Sequence, residues 1–351
     1  MVLIIRIKRN IVSLLIIVCM FGNTCSASAA NVPVISADSA VIMCEGRPLY
    51  SKNAAERRPM ASTTKLMTAI IAIEEAAMDD EVSIEWEHCN IEGSSMYLKP
   101  ETKVSVLQLI KGLLLVSGND AALALADHVA GSSEKFAKLM NKKAKSLGMD
   151  NTNFVNPHGL NHPSHYSTAE DMAKLMEYCM ENELFREIIA LKSFKSDGAQ
   201  LLNHNKLLFV CEGCAGGKTG YTKAAGRCLV SSCEREGQML VCVTLSAPDD
   251  WNDHMALYDW CYSRYSLRSA TENISFSVPL VSEKADDAAV LVPQREMSVF
   301  VEDNCDITLE GFIPWFSFKP IEKGKIGGRV VINVDGKSLG EYYLIYSEDE
   351  Y

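Results

Sequence analysis

"RPMASTTKLMTA", residues 58–69, places Ser62 three positions before Lys65 within a largely apolar run. The spacing of the apolar residues predicts a helix from about Ser62 to Ala77. On such a helix, positions i and i+3 share a face, so the lysine ammonium is expected to lie beside the serine hydroxyl. A lysine needs a reason to stand there, because burying a charge is costly.

One reason is nucleophilic catalysis. A serine hydroxyl reacts well only when a base removes its proton. A lysine serves as that base when burial or a nearby cation lowers its pKa, and the apolar neighbours Met60, Leu66 and Met67 would supply the burial. A single Ser-x-x-Lys spacing also occurs by accident on solvated helices, so the interpretation depends on further motifs.

Two further polar motifs interrupt the chain. "LLLVSGNDAA" places Ser117–Asn119 between two predicted helices, where it would bring a hydroxyl and an amide to a cleft. "CAGGKTGYTKAAGR" places Lys218–Gly220 at the predicted opening of a strand, where the lysine and threonine would bind a carboxylate. The glycine there would let another backbone approach closely. Alone, each motif is equally compatible with a capped helix end or an edge strand.

The order of predicted elements favours an α+β fold around one antiparallel sheet. A hairpin bends near Glu45-Gly46, a helical middle follows, and two strands then surround a turn at Glu236-Gly237. A closing helix, "HMALYDWCYSRYS", completes this domain, which we expect to span residues 30–268. Beyond Ser269 helical periodicity ceases, and Asp335-Gly336 predicts a two-residue hairpin. We expect residues 271–351 to form a separate, small all-β domain.

The first 29 residues have the pattern of a secretory signal peptide. Arg6, Lys8 and Arg9 precede the apolar run Ile11–Phe21, and Ala27–Ala29 supplies a cleavage motif. The apolar run is short for a membrane span, although an uncleaved anchor stays open as an alternative. We therefore expect an exported protein that acts in an extracytoplasmic space, either the cell wall space or the periplasm.

Charge excludes one class of partner. The formal net charge is −11, and removal of residues 1–29, which contain three basic residues and no acidic one, would make it −14. A nucleic-acid-binding protein typically carries a net positive charge, so no nucleic acid partner is expected. The acidic end "YLIYSEDEY" is unsuited to an anionic membrane surface. No C-terminal anchor is therefore expected, and membrane association is left open.

Cysteine and histidine do not form a recognisable metal motif. Cys211-x-x-Cys214 is a lone pair, and the nearby Cys228 and Cys233 are too widely spaced for a zinc knuckle. Disulfides or free thiols are favoured over a metal. The three histidines of "PHGLNHPSH", residues 157–165, have irregular spacing and no evident fourth ligand, which favours structural roles. We expect no metal and no cofactor.

Ser-x-x-Lys, Ser-x-Asn and Lys-Thr-Gly, in this order, form the signature of penicillin-binding proteins and class A β-lactamases. With "ASTTKLMTA", "VSGNDAA", "NPHGLNHPSHYSTAEDMAKLM" and "GGKTGYTKAAGRCLVSS", the chain resembles the exported serine-type D-alanyl-D-alanine carboxypeptidases, the low-molecular-mass penicillin-binding proteins. The resemblance covers nearly the whole chain. It implies a β-lactamase/transpeptidase-like catalytic domain, with an antiparallel sheet and a helical subdomain, followed by the β-rich domain.

The resemblance also implies roles for the first two motifs. Ser62 would be the acylated nucleophile and Lys65 its base. Ser117 would relay a proton toward the leaving D-alanine, and Asn119 would hold the peptide amide. The substrates would be peptidoglycan stem peptides, and β-lactam antibiotics would be covalent inhibitors.

The resemblance also implies that the third motif, Lys-Thr-Gly, binds the carboxylate end of the substrate. Lys218 and Thr219 would hold the terminal carboxylate, with Gly220 beside them, and the backbone N–H groups of Ser62 and Tyr221 would form the oxyanion hole. Donors aimed at a developing oxyanion are typically worth about 3 kcal/mol each. Some relatives have an arginine that assists the carboxylate in the region here occupied by "APDDWNDHM", residues 247–255, and this chain has none there.

Two alternative functions remain at this stage. A class A β-lactamase would need a deacylating Glu-x-x-x-Asn motif, and the sequence between Ser117 and Lys218 contains no match. A non-catalytic penicillin sensor or wall-binding module would have the same fold, although intact motif positions argue against it. A carboxypeptidase is therefore the preferred interpretation.

Overall fold

The computed structural model describes residues 2–7, 32–281 and 287–349. The helices in chain order are α1 (Lys65–Glu75), α2 (Trp86–Cys89), α3 (Val106–Leu115), α4 (Asn119–Ala130), α5 (Ser133–Ser146), α6 (Ala169–Glu181), α7 (Glu183–Ile189), α8 (Leu207–Val210) and α9 (Asp250–Arg264). The strands are β1 (Val2–Ile7), β2 (Ser39–Cys44), β3 (Arg47–Lys52), β4 (Glu81–Ser83), β5 (Lys103–Ser105), β6 (Ser193–Ser196), β7 (Ala199–Leu202), β8 (Cys214–Thr222), β9 (Gly226–Arg235), β10 (Gln238–Leu245), β11 (Tyr265–Ser269), β12 (Phe276–Val281), β13 (Ala288–Pro293), β14 (Ser298–Glu302), β15 (Ile307–Phe312), β16 (Ser317–Phe318), β17 (Ile326–Val334) and β18 (Lys337–Tyr346).

The chain divides into two compact units, residues 31–262 and residues 263–351 together with the N-terminal segment. Residues 31–262 contain an antiparallel sheet with the order β3-β2-β10-β9-β8. Two of its hairpins turn at Glu45-Gly46 and Glu236-Gly237, as expected from the sequence, and all four residues have positive φ. Left-handed turn residues match the right-handed twist of the flanking strands.

The two faces of this sheet are covered by different helices. Val230 and Val243, which are cross-strand partners, point into the large apolar core that includes α1 and α6. Ser231 on the opposite face bonds to the imidazole of His254 and the hydroxyl of Tyr258, both on α9. Both faces bury apolar residues, and the face covered by α9 also holds a buried polar group formed by Ser231, His254 and Tyr258.

Helix α1 runs through the apolar core, and its residues from Lys65 to Ala72 are all buried. The sequence predicted a helix from Ser62 to Ala77, but a 3-10 turn occupies Ala61–Thr64 and α1 ends at Glu75. The difference matters because Ser62 precedes the α-helix instead of lying within it. The predicted break between α3 and α4 is confirmed, since the helices end at Leu115 and restart at Asn119.

The second unit is built from strands. A sheet with the order β1-β15-β17-β18-β13-β12-β16 and the pair β11–β14 account for its regular structure in the described residues. The hairpin at Asp335-Gly336 is confirmed. The core of this second unit includes Phe276, Leu309 and Val330. The expected α+β fold with an all-β C-terminal part is therefore confirmed.

Most of the predicted signal peptide, including its apolar run and cleavage motif, lies outside the described residues. The described residues 2–7 form β1, which pairs antiparallel with β15. Within the described ranges, every helix is too short or too polar to span a bilayer.

The burial of His254 predicts that the folded protein loses stability as the pH falls. Its ring nitrogens lie 2.7 Å from Ser231 Oγ and 3.0 Å from Thr244 Oγ1, and burial lowers its pKa to about 3. An unfolded histidine titrates near 6.5, so the unfolded chain binds the extra proton between these two pH values. This stabilisation is complete above pH 6.5 and is lost, at about 1.4 kcal/mol per pH unit, as the pH falls toward 3.

We expect His254→Gln to flatten the pH dependence of unfolding by about one proton. Urea titrations of wild type and variant between pH 7.5 and 4.5 measure that slope. An unchanged slope in the variant would show that His254 is not neutral in the folded protein.

Candidate active site

Ser62 lies in a tightly bonded turn. The hydroxyl of Thr63 donates to the carbonyl of Met60 at 2.7 Å, and the hydroxyl of Thr64 donates to the carbonyl of Ala61 at 2.8 Å. Ala61 itself has φ +48°, an unusual value for a residue with a side chain. These bonds direct the chain into α1 and leave Ser62 half-buried at the wall of a cavity.

Lys65, the first residue of α1, has no exposed surface. Its Nζ donates to Ser62 Oγ at 2.9 Å, to Asn119 Oδ1 at 2.7 Å and to the backbone carbonyl of His158 at 2.5 Å. An amide oxygen and a backbone carbonyl can only accept, whereas a hydroxyl can also donate. Ser62 is therefore the one partner of these three that can reverse its hydrogen bond when the amine loses its proton.

Two effects lower the pKa of Lys65 well below its usual value. Burial is the larger, and the positive charge of Lys218 is the second, while Asp120 opposes them. Burial also lowers the pKa of Lys218 to about 7. A neutral Lys65 would direct its two N–H bonds at Asn119 and His158 and its lone pair at the hydroxyl of Ser62. The site is thus suited to proton transfer from serine to lysine.

The Ser-x-Asn turn joins α3 to α4. Ser117 has φ +64° and is buried at the cavity wall. Asn119 accepts from Lys65 through its oxygen, and its Nδ2 donates to the carbonyl of Glu92 at 2.6 Å. Its backbone N–H donates to the carbonyl of Ser94 at 2.8 Å. The amide of Asn119 is therefore fixed in one orientation by partners on both sides.

Asp120 secures the loop that faces this turn. Its buried carboxylate accepts from Ser95 Oγ at 2.6 Å and from the backbone N–H groups of Met96 and Leu98, both at 3.1 Å. Buried charge is stable only when it is satisfied in this way. The loop at residues 92–98 is consequently positioned by the residue that follows the motif, a role the sequence analysis did not identify.

The Lys-Thr-Gly motif begins at the midpoint of β8, and not at the opening of the strand as expected from the sequence. β8 is at the edge of its sheet, next to the Ser62 turn. A Cβ atom on Gly220 would lie 3.0 Å from the backbone nitrogen of Ser62, so the two backbones approach closely, as expected for a glycine. Lys218 is buried, and its Nζ donates to the carbonyl of Thr219 at 2.8 Å.

A cavity of about 600 Å³ lies where these motifs meet. Of the residues singled out in the sequence, it is lined by Ser62, Ser117, Asn119, Thr219, Gly220 and Tyr221. Seven polar or aromatic residues that sequence reasoning missed also line it: Ser94, His204, Lys206, Thr222, Arg227, Asp250 and Trp251. Arg227 is the cross-strand partner of Tyr221 in the β8–β9 pair, a hairpin that the sequence analysis did not predict.

The rings of His158 and His165 are held by hydrogen bonds within their loop, whereas His162 is exposed. His165 Nδ1 accepts from the N–H of Val155 at 3.1 Å, so its Nε2 carries the proton and donates to Thr64 Oγ1 at 2.8 Å. Burial lowers the pKa of His165 to about 4 and that of His158 to about 3. His158 contributes its carbonyl to Lys65, and a backbone contact of this kind has no sequence signal.

Metal ligands and disulfides are absent from the part of the chain that the structure describes. Its residues include no group of three or more histidine, cysteine or acidic side chains able to hold a metal ion. The cysteines from Cys44 to Cys305 are free thiols, including both members of the Cys211-x-x-Cys214 pair.

Comparison with known proteins gives consistent results. The family model for D-alanyl-D-alanine carboxypeptidase matches residues 26–249. D-alanyl-D-alanine carboxypeptidase DacF of Bacillus subtilis is 32% identical over 87% of this chain and 82% of its own length. DacC of Escherichia coli is 32% identical over 94% of this chain and 88% of its own. The crystal structure of penicillin binding protein 5 from Haemophilus influenzae superposes with a TM-score of 0.74, at 28% identity, over 90% of this chain and 98% of the other.

The loop that supplies the His158 carbonyl offers a matched pair of glycines. Gly159 has φ +88°, and an added Cβ would lie 2.0 Å from the carbonyl oxygen of Ala61; Gly148 has φ +66° with no atom within 4 Å. Alanine at either position carries backbone strain of about 1–2 kcal/mol. We expect Gly159→Ala to displace the Ser62 turn and slow covalent labelling of Ser62 by a fluorescent penicillin about 100-fold.

Gly148→Ala is the control and should keep the wild-type labelling rate. Stopped-flow or quenched-gel kinetics on both variants measure the difference. Equal rates would show that the loop does not position the nucleophile.

Proposed function

This chain belongs to the D-alanyl-D-alanine carboxypeptidase family, and we propose that it removes the terminal D-alanine from peptidoglycan pentapeptide stems through an acyl-enzyme on Ser62. The observation that carries the proposal is the 2.9 Å contact between Ser62 Oγ and a fully buried Lys65 amine. The name of one structural relative, penicillin binding protein 5, supports the further proposal that β-lactams acylate the same serine.

Acylation begins with proton transfer. The neutral amine of Lys65 takes the hydroxyl proton of Ser62, and Oγ bonds to the carbonyl carbon of the penultimate D-alanine. The peptide C–N bond then breaks, and Ser117, which lines the same cavity, relays the proton from Lys65 to the leaving amine. Proton transfer by a positioned side chain typically contributes about 10²–10⁴-fold to a rate.

The backbone N–H groups of Ser62 and Tyr221 stabilise the negative charge that develops on the carbonyl oxygen. Support comes from the close approach of β8 to the nucleophile turn at Gly220. An edge strand also leaves alternate N–H groups free of its neighbouring strand. Asn119, which lines the same cavity and accepts from Lys65, holds the amide of the stem peptide, while Lys218 and Thr219 attract its terminal carboxylate.

Deacylation completes the cycle. Water attacks the acyl carbon and gives a proton to Lys65. As the C–O bond to Ser62 breaks, Lys65 returns that proton to Oγ, which restores the free serine. The Glu-x-x-x-Asn motif of class A β-lactamases has no match in the sequence between Ser117 and Lys218, so water has no dedicated carboxylate to activate it against a penicilloyl ester. We therefore expect the penicillin adduct to be long-lived.

Export is part of the proposal, because peptidoglycan lies outside the cytoplasm. The basic and apolar pattern of residues 1–29 supports a cleaved signal peptide. Its removal would also remove β1 and leave β15 as the edge of the second sheet. A cleavage site after Ala29 can be read directly from the N-terminal sequence of the secreted protein.

The proposal is tested on the full chain with two readouts. Wild type should release D-alanine from a synthetic pentapeptide, and intact mass spectrometry after benzylpenicillin should show one adduct that maps to Ser62. We expect Ser62→Ala to reduce D-alanine release by at least about 10³-fold and to form no adduct, because no other group replaces the nucleophile.

The alternatives give different results. Rapid disappearance of the adduct with turnover of penicillin would identify a β-lactamase. An adduct at Ser62 without D-alanine release would identify a penicillin sensor.

A further inference from the structure

Three residues at one end of the cavity form a unit that the mechanism above does not use. Arg227 on β9 donates from Nε at 3.1 Å and from Nη2 at 2.5 Å to the same oxygen, Oδ1, of Asp250. Asp250 is almost fully buried, whereas the Arg227 side chain is 41% exposed. The guanidinium also lies 5.6 Å from the ring centroid of Trp251, and all three residues line the cavity.

The register of the sheet places this arginine beside the Lys-Thr-Gly motif. Arg227 is the cross-strand partner of Tyr221 in the antiparallel β8–β9 pair. Paired residues share a face of the sheet, and Thr219, two positions before Tyr221, lies on the same face. A diagonal neighbour at about 7–8 Å between Cα atoms is within reach of a long side chain.

The guanidinium has donors left for a ligand. It carries five N–H bonds, of which one on Nε and one on Nη2 are directed at Asp250. No further acceptor bonds it among the described residues. A guanidinium fixed from behind by a carboxylate presents a planar edge that matches a second carboxylate bidentately.

We propose that Arg227 binds the terminal carboxylate of the substrate together with Thr219, and that Asp250 is its positioning residue. The inference rests on the proposed function and adds a specificity determinant to it. The arginine is supplied by β9, and residues 247–255 contain no arginine of their own. The same segment instead supplies the aspartate and tryptophan that hold Arg227 in place.

A purely structural role is the competing explanation, in which the ion pair only fastens α9 to β9. The chain contains a matched control for it. Arg235 lies on the same strand and donates to Asp259 on the same helix at 2.8 Å, but neither residue lines the cavity. Arg235→Gln therefore removes a β9–α9 ion pair without touching the proposed subsite.

The test uses two acyl-D-alanyl thioesters whose leaving groups end either in a carboxylate or in the neutral carboxamide. Thioesters are reactive enough for turnover of both to be measured. We expect Arg227→Gln to lower kcat/KM for the carboxylate substrate about 10- to 100-fold and to change the carboxamide little. Asp250→Asn should lower kcat/KM for the carboxylate substrate by a smaller factor, mainly through a higher KM. The kcat/KM of Arg227→Lys for the carboxylate substrate should lie between the values of wild type and Arg227→Gln.

Arg235→Gln should keep the wild-type ratio of the two kcat/KM values. An equal loss on both substrates in Arg227→Gln, or an unchanged ratio, would overturn the assignment. D-alanine release and the penicillin adduct at Ser62 are measured on wild type alone. Failure of the proposed function is therefore distinguishable from failure of this inference.

Discussion

The amine of Lys65 is removed from water and surrounded by oxygens. A charged ammonium there would keep three hydrogen bonds but lose its hydration, and a second cation, Lys218, stands close enough to repel it. Both effects favour the neutral amine. Of its partners, the Oδ1 atom of Asn119 and the carbonyl of His158 can only accept, so Ser62 is left to face the lone pair. The chemistry of the site follows from this arrangement of acceptors.

Distant parts of the chain are required to build that environment. The turn at Ser62 is held by the imidazole of His165, and the loop before that imidazole supplies the His158 carbonyl. The amide of Asn119 is fixed by the loop at residues 92–98, which Asp120 secures. Long-range hydrogen bonds of this kind make the site rigid before any substrate binds, as catalysis by preorganised groups requires.

Much of this could be predicted from the sequence because it depends on local patterns. The turns at Glu236-Gly237 and Asp335-Gly336, and the break between α3 and α4, are encoded by turn residues within apolar runs. Ser-x-x-Lys spacing placed Ser62 beside Lys65, although the serine lies in a 3-10 turn and not in the predicted helix. The short elements α2, α7 and α8 and the β6–β7 hairpin were missed because their stability comes from packing, not from periodicity. A backbone carbonyl such as that of His158 has no side-chain signature at all.

The protonation state of Lys65 can be measured directly. Lysines labelled with ¹³C at Cε report their charge through the chemical shift, and comparison with Lys65→Arg assigns the resonance. The account predicts that Lys65 titrates well below 10.5, and that its midpoint rises in Lys218→Gln because a nearby positive charge has been removed. A midpoint at or above 10.5 in the wild-type protein would show that Lys65 is charged at neutral pH, and it would contradict the role of this amine as the base.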